Sequence, residues 1–209
     1  MTARLLATEL ERRLRVEALT LAFDTNAVFS HRRFLDVCDA ILQWNDRQRS
    51  ADPIKLVLCA VAYGEKLLDM RQEHQSATFG KFDEAKILRV LAQKKVDVCA
   101  FASEHAGKMS ALLHRHYPSQ ATWQTAKREL YIQRLGAQAL REQIPGSGRT
   151  CSATVDWLIA AQAQMQSSVL VTDDQGEEFA QITDQTQMQE LEAALAALGV
   201  WSAPSRSMT

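Results

Sequence analysis

The chain has 209 residues, 46% hydrophobic and 23% charged, a globular balance that excludes wholesale disorder. Lys+Arg 24 against Asp+Glu 25 leaves a formal charge of -1, which excludes a grip on nucleic acid by one uniform basic field. A local basic rim beside an acidic pocket remains open. No apolar run approaches the roughly 18 residues of a membrane span, and MTARLLATELERRLRVEALT mixes charge with apolar residues as no secretory leader does. No membrane partner is therefore expected. The four cysteines, Cys38, Cys59, Cys99 and Cys151, stand at wide, irregular spacings without a CxxC pair. The first three lie in apolar runs and are expected to be small buried hydrophobes in a cytoplasmic chain with reduced thiols.

In chain order, residues 1–18 read as an N-terminal amphipathic helix packed on the domain, with Leu6, Leu10 and Leu14 at four-residue steps among Arg and Glu. LTLAFDTN (19–26) is a strand running into a turn. Residues 31–47 return to helical spacing, and Pro53 breaks the chain. IKLVLCAVAY (54–63) has the continuous apolar character of a strand buried on both faces, with Glu65 opening the helix after it. A helix over 83–94 leads to a third strand, VDVCAFA (96–102), and Ser103 is a candidate cap for the next helix. Residues 119–143 read as a polar helix or helix pair, and PGSGRT (145–150) as a loop. CSATVDWLIAAQAQM (151–165) is a helix, SVLVT (168–172) a fourth strand and 187–198 a last helix stopped by Gly199. The domain is expected over 19–200, followed by a loose tail at 201–209. Alternating strands and helices predict an α/β fold, a three-layer α/β/α sandwich around a central parallel sheet.

Four acids hold equivalent places in this pattern. Asp24 ends the first strand, Glu65 opens the helix after the second, Asp156 lies in the first turn of the helix after the glycine loop, and Asp174 follows the fourth strand. In an open parallel sheet those places share one edge. Two unit charges about 4 Å apart repel by about 4 kcal/mol at an effective dielectric of 20, so convergence raises carboxyl pKa values or recruits a cation. Oxygen ligands without His or Cys suit Mg2+ or Mn2+. Divalent ions in such a site can clamp a phosphodiester and activate water, which is nuclease chemistry. Ala160 and Ala163, at helical spacing below Asp156, would let its helix sit close to the sheet.

D-T-N at 24–26, Glu65 after a buried strand, V-D-W-L-I-A-A at 155–161, and L-V-T-D-D followed by Phe179 together resemble the PIN-domain nucleases, which include the VapC-type toxin ribonucleases. The resemblance covers roughly residues 19–182 and implies a PIN-like sandwich and metal-dependent cleavage of RNA. By matching motifs, Asp24, Glu65, Asp156 and Asp174 are similar to the family's catalytic and metal-binding acids, and Asn26 and Thr172 to the polar residues that brace them. Asp173 supports the site or trades places with Asp174, and Asp69, one turn after Glu65, is a rival carboxylate. Among the basic clusters, His31-Arg32-Arg33 follows Asp24 closely, which makes Arg32 and Arg33 the candidates for substrate phosphate. A toxin member implies an antitoxin protein covering the acidic groove, and PIN domains often pair as homodimers. The leading helix and the long stretch before Asp156 depart from the compact toxin members. A phosphatase of the haloacid-dehalogenase type would want Asp where Asn26 stands. A non-catalytic PIN-like scaffold that binds RNA or a protein is the other alternative.

Overall fold

The computed structural model describes residues 4–29, 31–48, 53–76, 83–122, 152–174, 179 and 184–202. Its elements are α1 (Ala7–Val16), β1 (Thr20–Phe23), α2 (Thr25–Phe29), α3 (His31–Gln48), β2 (Lys55–Cys59), α4 (Ala60–Ser76), α5 (Glu84–Gln93), β3 (Val96–Cys99), α6 (Ser103–His116), α7 (Ser152–Met165), β4 (Val169–Val171), β5 (Gln185–Thr186) and α8 (Met188–Ala197). The strands form one all-parallel sheet in the order β3-β2-β1-β4-β5. Leu21, Phe23, Leu56, Leu58 and the whole of β4 are buried, as strands covered on both faces must be. Helices α1 and α3 pack with α8, whereas α4 and α6 pack with α7. The architecture is α/β and consistent with a three-layer α/β/α sandwich.

Strand order locates a crevice in this sheet. The chain lays down β1, then β2 and β3 to one side, and then returns to place β4 on the other side of β1 with β5 beyond it. The direction of growth reverses between β1 and β4. Outside the carboxyl ends of two such strands the connections diverge and leave a crevice, the place where open α/β sheets bind ligands.

Several boundaries differ from the sequence expectation. Strand β2 stops at Cys59, and residues 60–63, expected as strand, already form the first turn of α4. The apolar run is continuous because that turn faces the core, with Ala62 buried, and hydropathy alone cannot tell a buried strand from a buried helix start. Strand β3 likewise ends at Cys99 rather than 102. Strand β5 has only two residues, both polar, and offers no hydropathy pattern. Ser103 does not cap α6: the N-cap is Ala102, whose N–H is met by Nδ1 of the buried His105 at 2.9 Å. The expected helix at 119–143 lies mostly outside the described residues, as do the 145–150 loop, Cys151 and most of the tail. Cys38 and Cys59 are buried as expected, and Cys99 is half-buried on the edge strand β3.

The leading segment is part of this domain's packing. Leu10 and Leu14 of α1 are buried, each contributing about 1.5–3 kcal/mol. Leu5 donates its N–H to Gln185 O at 2.8 Å, and the Thr186 hydroxyl donates to Leu5 O at 3.0 Å. The segment therefore covers the open edge of β5, which would otherwise present unpaired backbone groups. Glu190 Oε2 accepts the N–H of Ala7 at the start of α1. Among the described residues, no helix is long and apolar enough to cross a membrane.

Candidate active site at the sheet switch point

Asp24 follows β1 directly and Thr172 follows β4, so the two loops that carry them emerge side by side at the reversal of strand order. Asp24 N–H still bonds Val171 O at 3.1 Å, and Thr172 N–H bonds Thr186 O at 2.9 Å. The ladder thus holds both residues before the chain leaves the sheet. The Asp24 carbonyl accepts from the N–H groups of Ala27 and Val28, which turns the chain at once into α2.

The Asp24 side chain is 3% exposed and accepts three hydrogen bonds. Thr25 N–H donates to Oδ1 at 2.6 Å, Asn26 Nδ2 to Oδ2 at 2.7 Å, and the Thr172 hydroxyl to Oδ2 at 2.7 Å. All three donors are neutral. The braces are themselves held: Asn26 Oδ1 accepts the N–H of Asp173 at 3.0 Å, and Thr172 Oγ1 accepts the N–H of Asp174 at 3.1 Å. Backbone donors of the β4 loop thereby fix the orientation of the Asn26 amide and polarise the Thr172 hydroxyl toward Asp24. A mere helix cap would accept from the N–H two or three residues on. Here the second oxygen is instead spent across the switch point.

The charge balance is unusual for a buried carboxylate. Burial is the main cause that pushes the Asp24 carboxyl up from 3.8 to about 6. The Thr172 hydroxyl and Thr25 N–H pull it down, and the negative charges of Asp174 and Glu65 push it up again. Glu65 is half-buried in the second turn of α4, not the first, because α4 begins five residues earlier. Its Oε2 accepts the Thr25 hydroxyl at 2.5 Å.

The two adjacent aspartates have separate tasks. Asp173 Oδ1 accepts the N–H of Met188 at 3.1 Å, meeting an orphan donor at the start of α8. Asp174 is the one whose charge acts on Asp24, and its carbonyl accepts from the Arg4 guanidinium. Asp156 is half-buried beside the buried Trp157, in the second turn of α7 because that helix starts at Ser152. Helix α7 packs on α4, which carries Glu65, and on β4, which leads to Asp174. Hydrogen bonds tie Asp24, Glu65 and the Thr172–Asp174 loop together; for Asp156 it is the helix as a whole that packs on the elements carrying them. The small residues below it behave as the sequence suggests, with Ala160 and Ala163 fully buried.

The two arginines also divide. Arg33 makes a bidentate pair with Glu192 of α8 at 2.5 and 2.8 Å, so it ties α3 to α8. Arg32 is exposed on α3. Sequence reasoning missed the Thr25 hydroxyl, although the middle residue of D-T-N was in view, and Cys59, whose buried thiol feels the Asp24 charge at the end of β2. Among the described residues, no three His, Cys, Asp or Glu side chains stand close enough to form a ready-made metal cage.

Fold and site together define a class: an open, all-parallel α/β domain with a buried, neutrally braced aspartate at its switch point and further carboxylates around it. No protein-family model matches the chain, and no curated protein matches it.

Proposed function

We propose that the chain is a PIN-type endoribonuclease that hydrolyses RNA phosphodiester bonds with Mg2+ or Mn2+. The observation that carries this reading is the buried Asp24, hydrogen-bonded among the described residues by neutral donors while the charges of Glu65 and Asp174 bear on it. Like charges drawn close to a buried carboxylate raise its cost, and a cation relieves it. The donor set is all hard oxygen, which suits Mg2+ or Mn2+ better than zinc.

Asp24, Glu65, Asp156 and Asp174 would hold the ion, which supplies positive charge for the phosphoryl oxygens and acidity for the attacking water. Asn26 and Thr172 hold the Asp24 carboxylate in one orientation. Arg32, exposed on α3, would be the arginine to meet a substrate phosphate, since Arg33 is engaged by Glu192. In a cytoplasmic toxin–antitoxin setting, a partner segment would close this groove, and a second copy would pair through a helical face.

The test is cleavage of labelled RNA and single-stranded DNA by the purified protein with Mn2+ or EDTA, beside calorimetric titration with Mn2+. Metal-dependent cleavage of RNA is the expected result. Carboxylate-independent binding of RNA without cleavage or Mn2+ uptake would leave the scaffold alternative in its place.

A further inference from the structure

We propose that Thr25 is a positioning residue that fixes the separation of Asp24 and Glu65, and through it the pocket's affinity for a divalent cation; this rests on the nuclease reading. Thr25 bonds to both carboxylates. Its N–H donates to Asp24 Oδ1 at 2.6 Å and its hydroxyl to Glu65 Oε2 at 2.5 Å. The first bond lies within the β1–α2 connection, whereas the second crosses 40 positions of sequence to α4. Helix α2 packs against α4, so the backbone on either side of the bond is held.

The chemistry of the bond is directional. A hydroxyl has one proton to give, and here it goes to Glu65, whose long side chain has several free torsions and would otherwise sample many rotamers. Thr25 is β-branched and half-buried, and its own first torsion is restricted. A stiff side chain thus anchors a flexible carboxylate against a fixed one. Donors from a single residue on both acids also offset part of their mutual repulsion before any ion arrives. Asn26 and Thr172 brace Asp24, but it is the Thr25 bond that links Glu65 to the β1 loop.

Thr25→Val keeps the shape and the N–H and removes the hydroxyl; Thr25→Ser keeps the hydroxyl. With Mn2+ as the probe in calorimetry, the Val variant is expected to bind about tenfold more weakly, and the Ser variant within about threefold of wild type. Cleavage by the Val variant should show a lower kcat at an unchanged KM for RNA. In a Glu65→Ala background the Val substitution should add no further loss, because its effect travels through Glu65. Thr25→Ala, held to the same expectations, replaces the Val variant should thermal melting show the latter unfolded. Wild-type Mn2+ affinity in the hydroxyl-free variant, or an equal further loss in the Glu65→Ala background, overturns the clasp alone. A wild-type protein that neither takes up Mn2+ nor cleaves RNA overturns the nuclease reading and the clasp with it.

Discussion

On α1, Glu9, Glu11 and Glu17 each face a guanidinium, from Arg12, Arg15 and Arg13 respectively, at 2.7–2.8 Å. At the switch point, Asp24 accepts from neutral donors among the described residues, and the charges of Glu65 and Asp174 bear on it. The α1 pairs are largely exposed, with the Arg13 side chain the most covered. Exposed pairs of this kind contribute little to stability. The Arg12 guanidinium draws the Glu9 carboxyl below its ordinary range, whereas burial drives Asp24 the other way. Carboxylates are therefore arranged in opposite ways in two parts of one domain. Paired acids on an exposed helix keep the surface soluble and steady the helix. Asp24, held against its own electrostatic preference by a network of neutral braces, is the feature on which the proposed cation site rests.

The sharpest way to break this contrast is Asp24→Asn. Cleavage and Mn2+ uptake should fall more than about a hundredfold, beyond the 10–100-fold that outer bracing residues carry, while circular dichroism shows the fold retained. Full metal-dependent cleavage by this variant would remove the switch point from the mechanism. Leu10→Ala perturbs the other region and should cost about 2–5 kcal/mol in denaturant unfolding, with kcat per folded molecule unchanged. A loss of kcat without a loss of stability would show that α1 does more than pack.

The pH dependence of metal-free stability sharpens the comparison further. Asp24 has a raised carboxyl pKa in the folded state, about 6 against 3.8, so the folded chain holds a proton that the unfolded chain has released. Its contribution therefore becomes less favourable as pH rises from about 4 to about 6, by about 3 kcal/mol, and is level above that. Unfolding curves of wild type and Asp24→Asn across this window should diverge by that amount; parallel curves would refute the raised pKa. By the same sign, Mn2+ binding should weaken as pH falls below about 6, because the ion competes with the proton on Asp24. The smallest effect belongs to Arg33→Ala, which should lower stability by about 1 kcal/mol or less and leave KM for RNA unchanged. Arg32→Ala, by contrast, should raise that KM. Equal effects on KM would mean that Arg33 leaves Glu192 to meet substrate.

Much of the fold is legible in the sequence. The apolar runs within 19–26, 54–63 and 168–172 announce buried strands, and Asp24 and Asp174 can be placed because each follows its strand within three residues. The amphipathic spacing of Leu10 and Leu14 marks α1. Where sequence and structure part, the cause is physical. Residues 60–63 are apolar because they are buried, and burial does not distinguish the end of a strand from the start of a helix. Asp173 and Asp174 are chemically identical in the sequence; only the position of α8, whose Met188 N–H takes Asp173, separates them. Arg33 resembles a phosphate ligand in the sequence because Glu192 lies 159 positions away.

The sequence by itself determined the alternation of elements, the class of fold and the places of Asp24 and Asp174 just after strands, since these follow from local hydropathy and from residues next to strand ends. Tertiary structure alone decided that β4 returns beside β1 and sets Thr172 against Asp24. It also decided that Thr25 reaches Glu65 and that Arg33 is engaged elsewhere. Those facts depend on contacts between distant stretches of chain, and a hydrogen bond of under 3 Å is fixed by the packing of whole elements rather than by any pattern along one of them.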